Sequence, residues 1–109
     1  MDLYQEIQQK IRELDYSVKS LRSTGTALAT AEREYKILLR QEVLKLRDEG
    51  QAVGVIDKIC YGIPSVAEAR FKRDVAETIY EANREALQII KLQLRILEEK
   101  LEREWGNTK

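Results

Sequence analysis

The stretch IIKLQLRILEEKLEREW (residues 89–105) decides the fold of this 109-residue chain, because it contains no glycine, no proline and no turn-forming pair. It continues without a helix breaker from Ser65, so that 41 residues run uninterrupted to Trp105. Apolar residues recur along this segment at steps of three and four, which predicts one long amphipathic helix over about residues 65–105 that ends at Gly106. They are Val75, Ile79, Ala82, Ala86, Ile90, Leu94, Leu97, Leu101 and Trp105.

The N-terminal half carries a similar pattern. Its apolar residues predict a helix over about residues 2–49, with a candidate kink near Gly25 and an end at Gly50. Residues 50–64 form the connection, in which Gly54, Gly62 and Pro64 favour a short helix or turn over a strand. The residues of the N-terminal pattern are Leu3, Ile7, Ile11, Leu14, Val18, Leu21, Leu28, Ala31, Tyr35, Leu39, Val43 and Leu46.

These segments predict an all-α fold, an antiparallel hairpin of two long helices with a short helical connection. The length fits a single domain over residues 1–109. However, six apolar residues near the end of the last helix cover more than one of its faces, and one partner helix covers only one face. They are Ile89, Ile90, Leu92, Leu94, Ile96 and Leu97. We therefore expect the hairpins to assemble as a coiled-coil-like homo-oligomeric bundle.

Composition excludes several classes of function. Lys plus Arg equals Asp plus Glu at 19 each, so no overall positive charge favours nucleic acid or a membrane surface. Histidine is absent, which removes the commonest general base and the commonest nitrogen ligand of zinc. The single cysteine, Cys60, suits a reducing compartment. We expect a cytoplasmic, non-enzymatic protein with no catalytic residues, metal or cofactor.

Four residues are candidates for binding a small anionic ligand. Arg70 and Arg73 lie near the predicted start of the last helix, where the helix dipole favours an anion, and Arg84 follows Arg73 by eleven residues on the same stripe. Tyr61 in the connection could stack on a base. The alternatives are that the arginines form ion pairs within the protein and that Tyr61 closes the end of the helical core.

Three runs of sequence resemble a group of small helical accessory proteins of phages and prophages of Gram-positive bacteria. The runs are TALATAEREYKILLRQEVLKLRDEG, VIDKICYG and VAEARFKRDVAETIYEANREALQIIKLQLRILEEKLEREW, within residues 26–105. The resemblance implies a phage-type accessory protein in the cytoplasm of a host cell, with counter-defence as a common role. None of the group's binding motifs transfers to named positions here.

Two hypotheses about function follow. In the first, a helical homo-oligomer sequesters an anionic nucleotide second messenger, with Arg70, Arg73 and Arg84 at the phosphates and Tyr61 at a base. In the second, the same helices form a coiled-coil adaptor or inhibitor that binds a host or phage protein, such as a host defence protein, through the remaining apolar surface.

Overall fold

The computed structural model describes residues 2–108, and every regular element in that range is helical. Helix α1 spans Leu3–Asp48, α2 spans Val53–Ile59, a 3₁₀ turn spans Cys60–Gly62, and α3 spans Pro64–Thr108. The prediction of an all-α chain with two long helices and a short helix between them is confirmed. None of the helices in residues 2–108 is long and apolar enough to cross a membrane.

Helix α1 starts with a reciprocal cap. The backbone N–H of Gln5 donates to Oδ1 of Asp2 at 2.8 Å, and the backbone N–H of Asp2 donates to Oε1 of Gln5 at 3.2 Å. This capping box satisfies backbone donors that have no partner within the helix. The helix then continues through Gly25 without interruption.

The end of α1 depends on a glycine. Gly50 has φ of +87°, in the left-handed region where a side chain is disfavoured. The backbone N–H of Gly50 donates to the carbonyl of Arg47, and that of Gln51 donates to the carbonyl of Leu46. This pair of bonds is the Schellman motif, which satisfies the last carbonyl groups of the helix and ends it after Asp48.

Helix α3 begins at Pro64, after Ile63 in an extended conformation. The missing N–H of proline costs nothing in the first turn of a helix, and the N–H of Ala67 donates to the Ile63 carbonyl at 2.9 Å. The predicted end at Gly106 is wrong, because α3 continues through Gly106 to Thr108. Glycine is permitted in helical backbone, so it ends a helix only where the chain turns.

The chain divides into two compact units, which are described separately. Unit 1 consists of Met1–Ser23 and Tyr80–Lys109, and unit 2 consists of Thr24–Ile79. The single domain over residues 1–109 stays a prediction.

In unit 1, the N-terminal part of α1 lies antiparallel to the C-terminal part of α3. Lys10 Nζ donates to Gln93 Oε1 at 2.9 Å, and Asn83 Nδ2 donates to the Ser20 carbonyl at 3.4 Å, so rising numbers in one helix meet falling numbers in the other. The buried side chains here are Ile7, Ser17 and Leu87.

Unit 2 draws its buried side chains from four segments. Tyr35 comes from α1, Ile56 from α2, Cys60 from the 3₁₀ turn, and Val66 from the first turn of α3. Val66 has no exposed surface. The connection between the long helices therefore supplies part of a core.

Candidate functional site

Arg70 and Tyr61, two of the four predicted ligand-binding residues, lie together in unit 2. The guanidinium carbon of Arg70 lies 5.4 Å from the centroid of the Tyr61 ring, within the range of a cation–π interaction. Both side chains are exposed. Within residues 2–108, Arg70 forms no salt bridge. A charged group and the aromatic ring beneath it are therefore both accessible at one place on the surface.

Arg73, the third predicted residue, is engaged within the protein. Its guanidinium carbon lies 4.8 Å from the centroid of the buried Tyr35 ring. Its Nη2 and Nε donate to Oδ1 of Asp74 at 2.8 and 3.1 Å, and this hydrogen bonding raises the pKa of Arg73. An incoming phosphate would have to compete with Asp74, so Arg73 fits the ion-pair alternative better than the ligand-binding one.

Arg84, the fourth predicted residue, belongs to unit 1. Its Nη1 lies 3.7 Å from Glu81 Oε1 one turn earlier in α3, an exposed pair of the kind common on helix surfaces. Of the four predicted residues, the structure thus brings together Tyr61 and Arg70, and it gives Arg73 and Arg84 carboxylate partners.

A polar bridge between α1 and α3 in unit 1, formed by Lys10, Glu13 and Gln93, was not predicted from the sequence. Lys10 Nζ donates to Glu13 Oε2 at 3.0 Å as well as to Gln93, and the hydrogen bond from Lys10 lowers the pKa of Glu13. The only available signal was the position of Lys10, three residues after Ile7 on the face that packs against α3. This bridge links the two helices of unit 1 through side chains.

Two shallow grooves follow the line where α1 and α3 meet in unit 1. One, of about 450 Å³, has Ile96 and Leu97 on one side and Gln9 and Glu13 on the other. The second, of about 510 Å³, shares Gln9 and Glu13 and adds Arg12, Tyr16, Asn83, Ala86 and Ile90. Both expose more apolar than polar surface, which suits an apolar partner side chain better than a charged ligand.

Metal binding in the described range would depend on cysteine, aspartate and glutamate side chains. The thiol of Cys60 is buried. In residues 2–108, no group of three Cys, Asp or Glu side chains is placed to hold a metal ion. The non-enzymatic character therefore stays a prediction from the composition.

Apolar side chains are exposed on α3 in each unit. In unit 1, Ile89 is 56% exposed, Leu92 52% and Ile96 50%. In unit 2, the exposed apolar residues of α3 are Phe71, Val75 and Ile79. Each set recurs at steps of three or four, so each occupies one face of the helix.

No protein-family profile, curated protein sequence or solved structure matches this chain. The resemblance to phage accessory proteins therefore stays a prediction, and the site must be interpreted from its own geometry.

Proposed function

We propose that this chain is a non-enzymatic interaction protein that works as an assembly of identical copies and binds other proteins through apolar helix faces. In a phage setting, the bound protein would be a host defence protein or a phage protein, met in the cytoplasm.

The observation that supports this proposal is the amount of apolar side chain left accessible. Among the described residues, sixteen large hydrophobic side chains are exposed, whereas six hydrophobic side chains are buried. Single exposed hydrophobic residues are normal, but rows of them along a helix mark contact sites. On α3 the rows are spaced for a partner helix, as in recognition of one amphipathic helix by another.

The sequence supports a binding role over catalysis. Histidine is absent, and the thiol of Cys60 is too buried to act as a nucleophile. Equal numbers of acidic and basic residues disfavour a general nucleic-acid surface.

Light scattering after size-exclusion chromatography tests self-association. We expect a mass of at least twice the 12.7 kDa of one chain at tens of micromolar, with a melting temperature that rises with protein concentration. A mass of one chain at about 100 µM, with full helical circular dichroism, would contradict the proposed assembly.

A second candidate function, sequestration of an anionic nucleotide, is favoured by the pair formed by Arg70 and Tyr61. The guanidinium of Arg70 could bind a phosphate, and the exposed ring of Tyr61, in contact with it, could stack on a base. The counter-defence role implied by the phage resemblance would then depend on this pair rather than on Arg73 or Arg84.

Thermal shifts with a panel of nucleotide second messengers test the second candidate. We expect at least one nucleotide to raise the melting temperature of the wild type but not of Arg70→Gln. Arg84→Gln is the matched control, because it removes another exposed arginine, from the other unit. If no nucleotide raises the melting temperature at millimolar concentration, nucleotide sequestration is rejected and the protein-interaction function remains.

A further inference from the structure

We infer that the exposed apolar stripe of α3 in unit 1, formed by Ile89, Leu92 and Ile96, is covered by the same stripe of a second copy, with the two α3 helices antiparallel. This inference rests on the proposed function, since it specifies which surface joins the copies and in which orientation.

Helix α3 has two apolar faces in unit 1, and α1 covers one. The face toward α1 holds the buried Leu87 and the half-buried Leu94 and Leu97. The stripe lies on a different side of the helix, with Ile96 at its edge bordering the groove beside α1, and each of its residues keeps at least half of its surface accessible. The steps of three and four between its members are those of a helix-packing seam.

Charged residues at the two ends of the stripe indicate its occupant. Glu85 precedes Ile89 by four residues and Lys100 follows Ile96 by four, and both are exposed. Within residues 2–108, neither Glu85 nor Lys100 forms a salt bridge. The end before Ile89 is therefore bordered by Glu85, and the end after Ile96 is bordered by Lys100 together with the exposed Glu99. The charges of Glu85 and Lys100 are available to a partner.

An antiparallel pair of copies matches these charges. With the twofold axis between Leu92 and Gln93, Ile89 of one copy lies beside Ile96 of the second copy, and Glu85 lies beside Lys100 of the second copy. A parallel pair would place Glu85 beside Glu85 and Lys100 beside Lys100, which is repulsive. A twofold contact must be complementary to itself, and this stripe is complementary to itself in the antiparallel orientation only.

Charge reversal tests the pairing without relying on cysteine chemistry. We expect Glu85→Lys and Lys100→Glu each to weaken the dimer about tenfold in Kd, because each variant creates two like-charge contacts in a symmetric pair. The double variant restores the opposite charges and should return to within about threefold of the wild type. Sedimentation equilibrium gives the dissociation constants, and Glu98→Lys, on another side of α3, is the control. Additive losses in the double variant would overturn the inference.

Disulfide cross-linking tests the orientation. In a Cys60→Ala background, Leu92→Cys should form an intermolecular disulfide, because the two copies of residue 92 lie near the axis and within disulfide reach. Ala82→Cys should not, because in the antiparallel pair its two copies are separated by about 30 Å along the helices. Lys91→Cys, on the other side of α3, is the negative control. Cross-linking at both 82 and 92 would indicate a parallel pair and overturn the inference.

The outcomes separate this inference from the proposed function. If the wild type is oligomeric, the charge variants leave its dissociation constant unchanged and Leu92→Cys does not cross-link, the proposed assembly is retained and this surface is rejected. A monomeric wild type would reject both. If that monomer bound an unrelated amphipathic helix at the stripe, the occupant would be a different protein.

Discussion

Units 1 and 2 use the same two helices but bury their side chains differently. In unit 2, α2 and the 3₁₀ turn add Ile56 and Cys60 to what α1 and α3 supply. The described part of unit 1, residues 2–23 and 80–108, has no third segment, and the residues buried there are Ile7, Ser17 and Leu87. Two helices side by side cover one face of each other, so a third element is needed before a larger core can form. Unit 2 has that element within the chain, and we propose that unit 1 obtains it from a second copy.

The largest expected effect comes from the third element of unit 2. Ile56→Ala should reduce the free energy of unfolding by about 2–4 kcal/mol, because it removes buried methyl groups and leaves a cavity. Val55→Ala is the control, since Val55 is the neighbouring residue of α2 and is exposed; we expect a change of at most about 0.5 kcal/mol. Urea denaturation followed by circular dichroism measures both. Equal losses of unfolding free energy in Ile56→Ala and Val55→Ala would show that α2 does not belong to a core.

Leu87→Ala in unit 1 should have a smaller effect, about 2 kcal/mol, because a core with few buried residues can relax around the lost side chain. The variant to compare with it is Ile89→Ala, because Ile89 is two residues away and exposed. We expect Ile89→Ala to leave the melting temperature nearly unchanged at submicromolar protein and to lower it at high concentration, where the copies associate. A loss independent of concentration would place Ile89 in the core of one chain.

The two arginine–tyrosine contacts of unit 2 provide a finer comparison. Arg73→Gln should lower the melting temperature by roughly 3 °C, because Arg73 contacts the buried Tyr35 and also Asp74. Arg70→Gln should lower it by no more than about 1 °C, since Tyr61 and Arg70 are both exposed. Differential scanning calorimetry distinguishes the two. The reverse order would mean that Arg70, rather than Arg73, is the structural arginine.

The smallest effect concerns the polar bridge of unit 1. The hydrogen bond from Lys10 lowers the pKa of Glu13, so the ionised carboxylate is favoured in the folded state. Its contribution to stability is therefore present above the ordinary pKa of a glutamate and is lost as the pH falls through the lowered pKa of Glu13. In Lys10→Met, NMR titration should show the pKa of Glu13 raised toward its ordinary value. An unchanged pKa would show that the bridge is not populated in solution.

The helices could be predicted from the sequence because their signals are local. Periodic apolar residues predict a helix wherever they occur, and Gly50 predicts an end because a left-handed turn there favours glycine. Gly106 carries the same signal, but the helix end predicted there is wrong, because helical backbone accepts glycine and α3 continues to Thr108.

The candidate site could be predicted only in part, because it depends on the register between helices. Arg70 and Tyr61 are nine residues apart across the start of α3, so their proximity follows from a short connection. The contact of Arg73 with Tyr35 joins residues from two helices, and a shift of one turn would have replaced Tyr35 by another residue. The apolar pattern alone does not distinguish such shifts.

The bond from Lys10 to Gln93 joins residues 83 positions apart, which has a consequence for synthesis on the ribosome. Unit 2 is contiguous in sequence and can fold once about residue 79 has emerged, whereas residues 1–23 must wait for residues 80–109. The entropy cost of closing so long a loop falls once the intervening segment is already folded. We therefore expect the N-terminal part of α1 to pair with the C-terminal part of α3 only after unit 2 has folded.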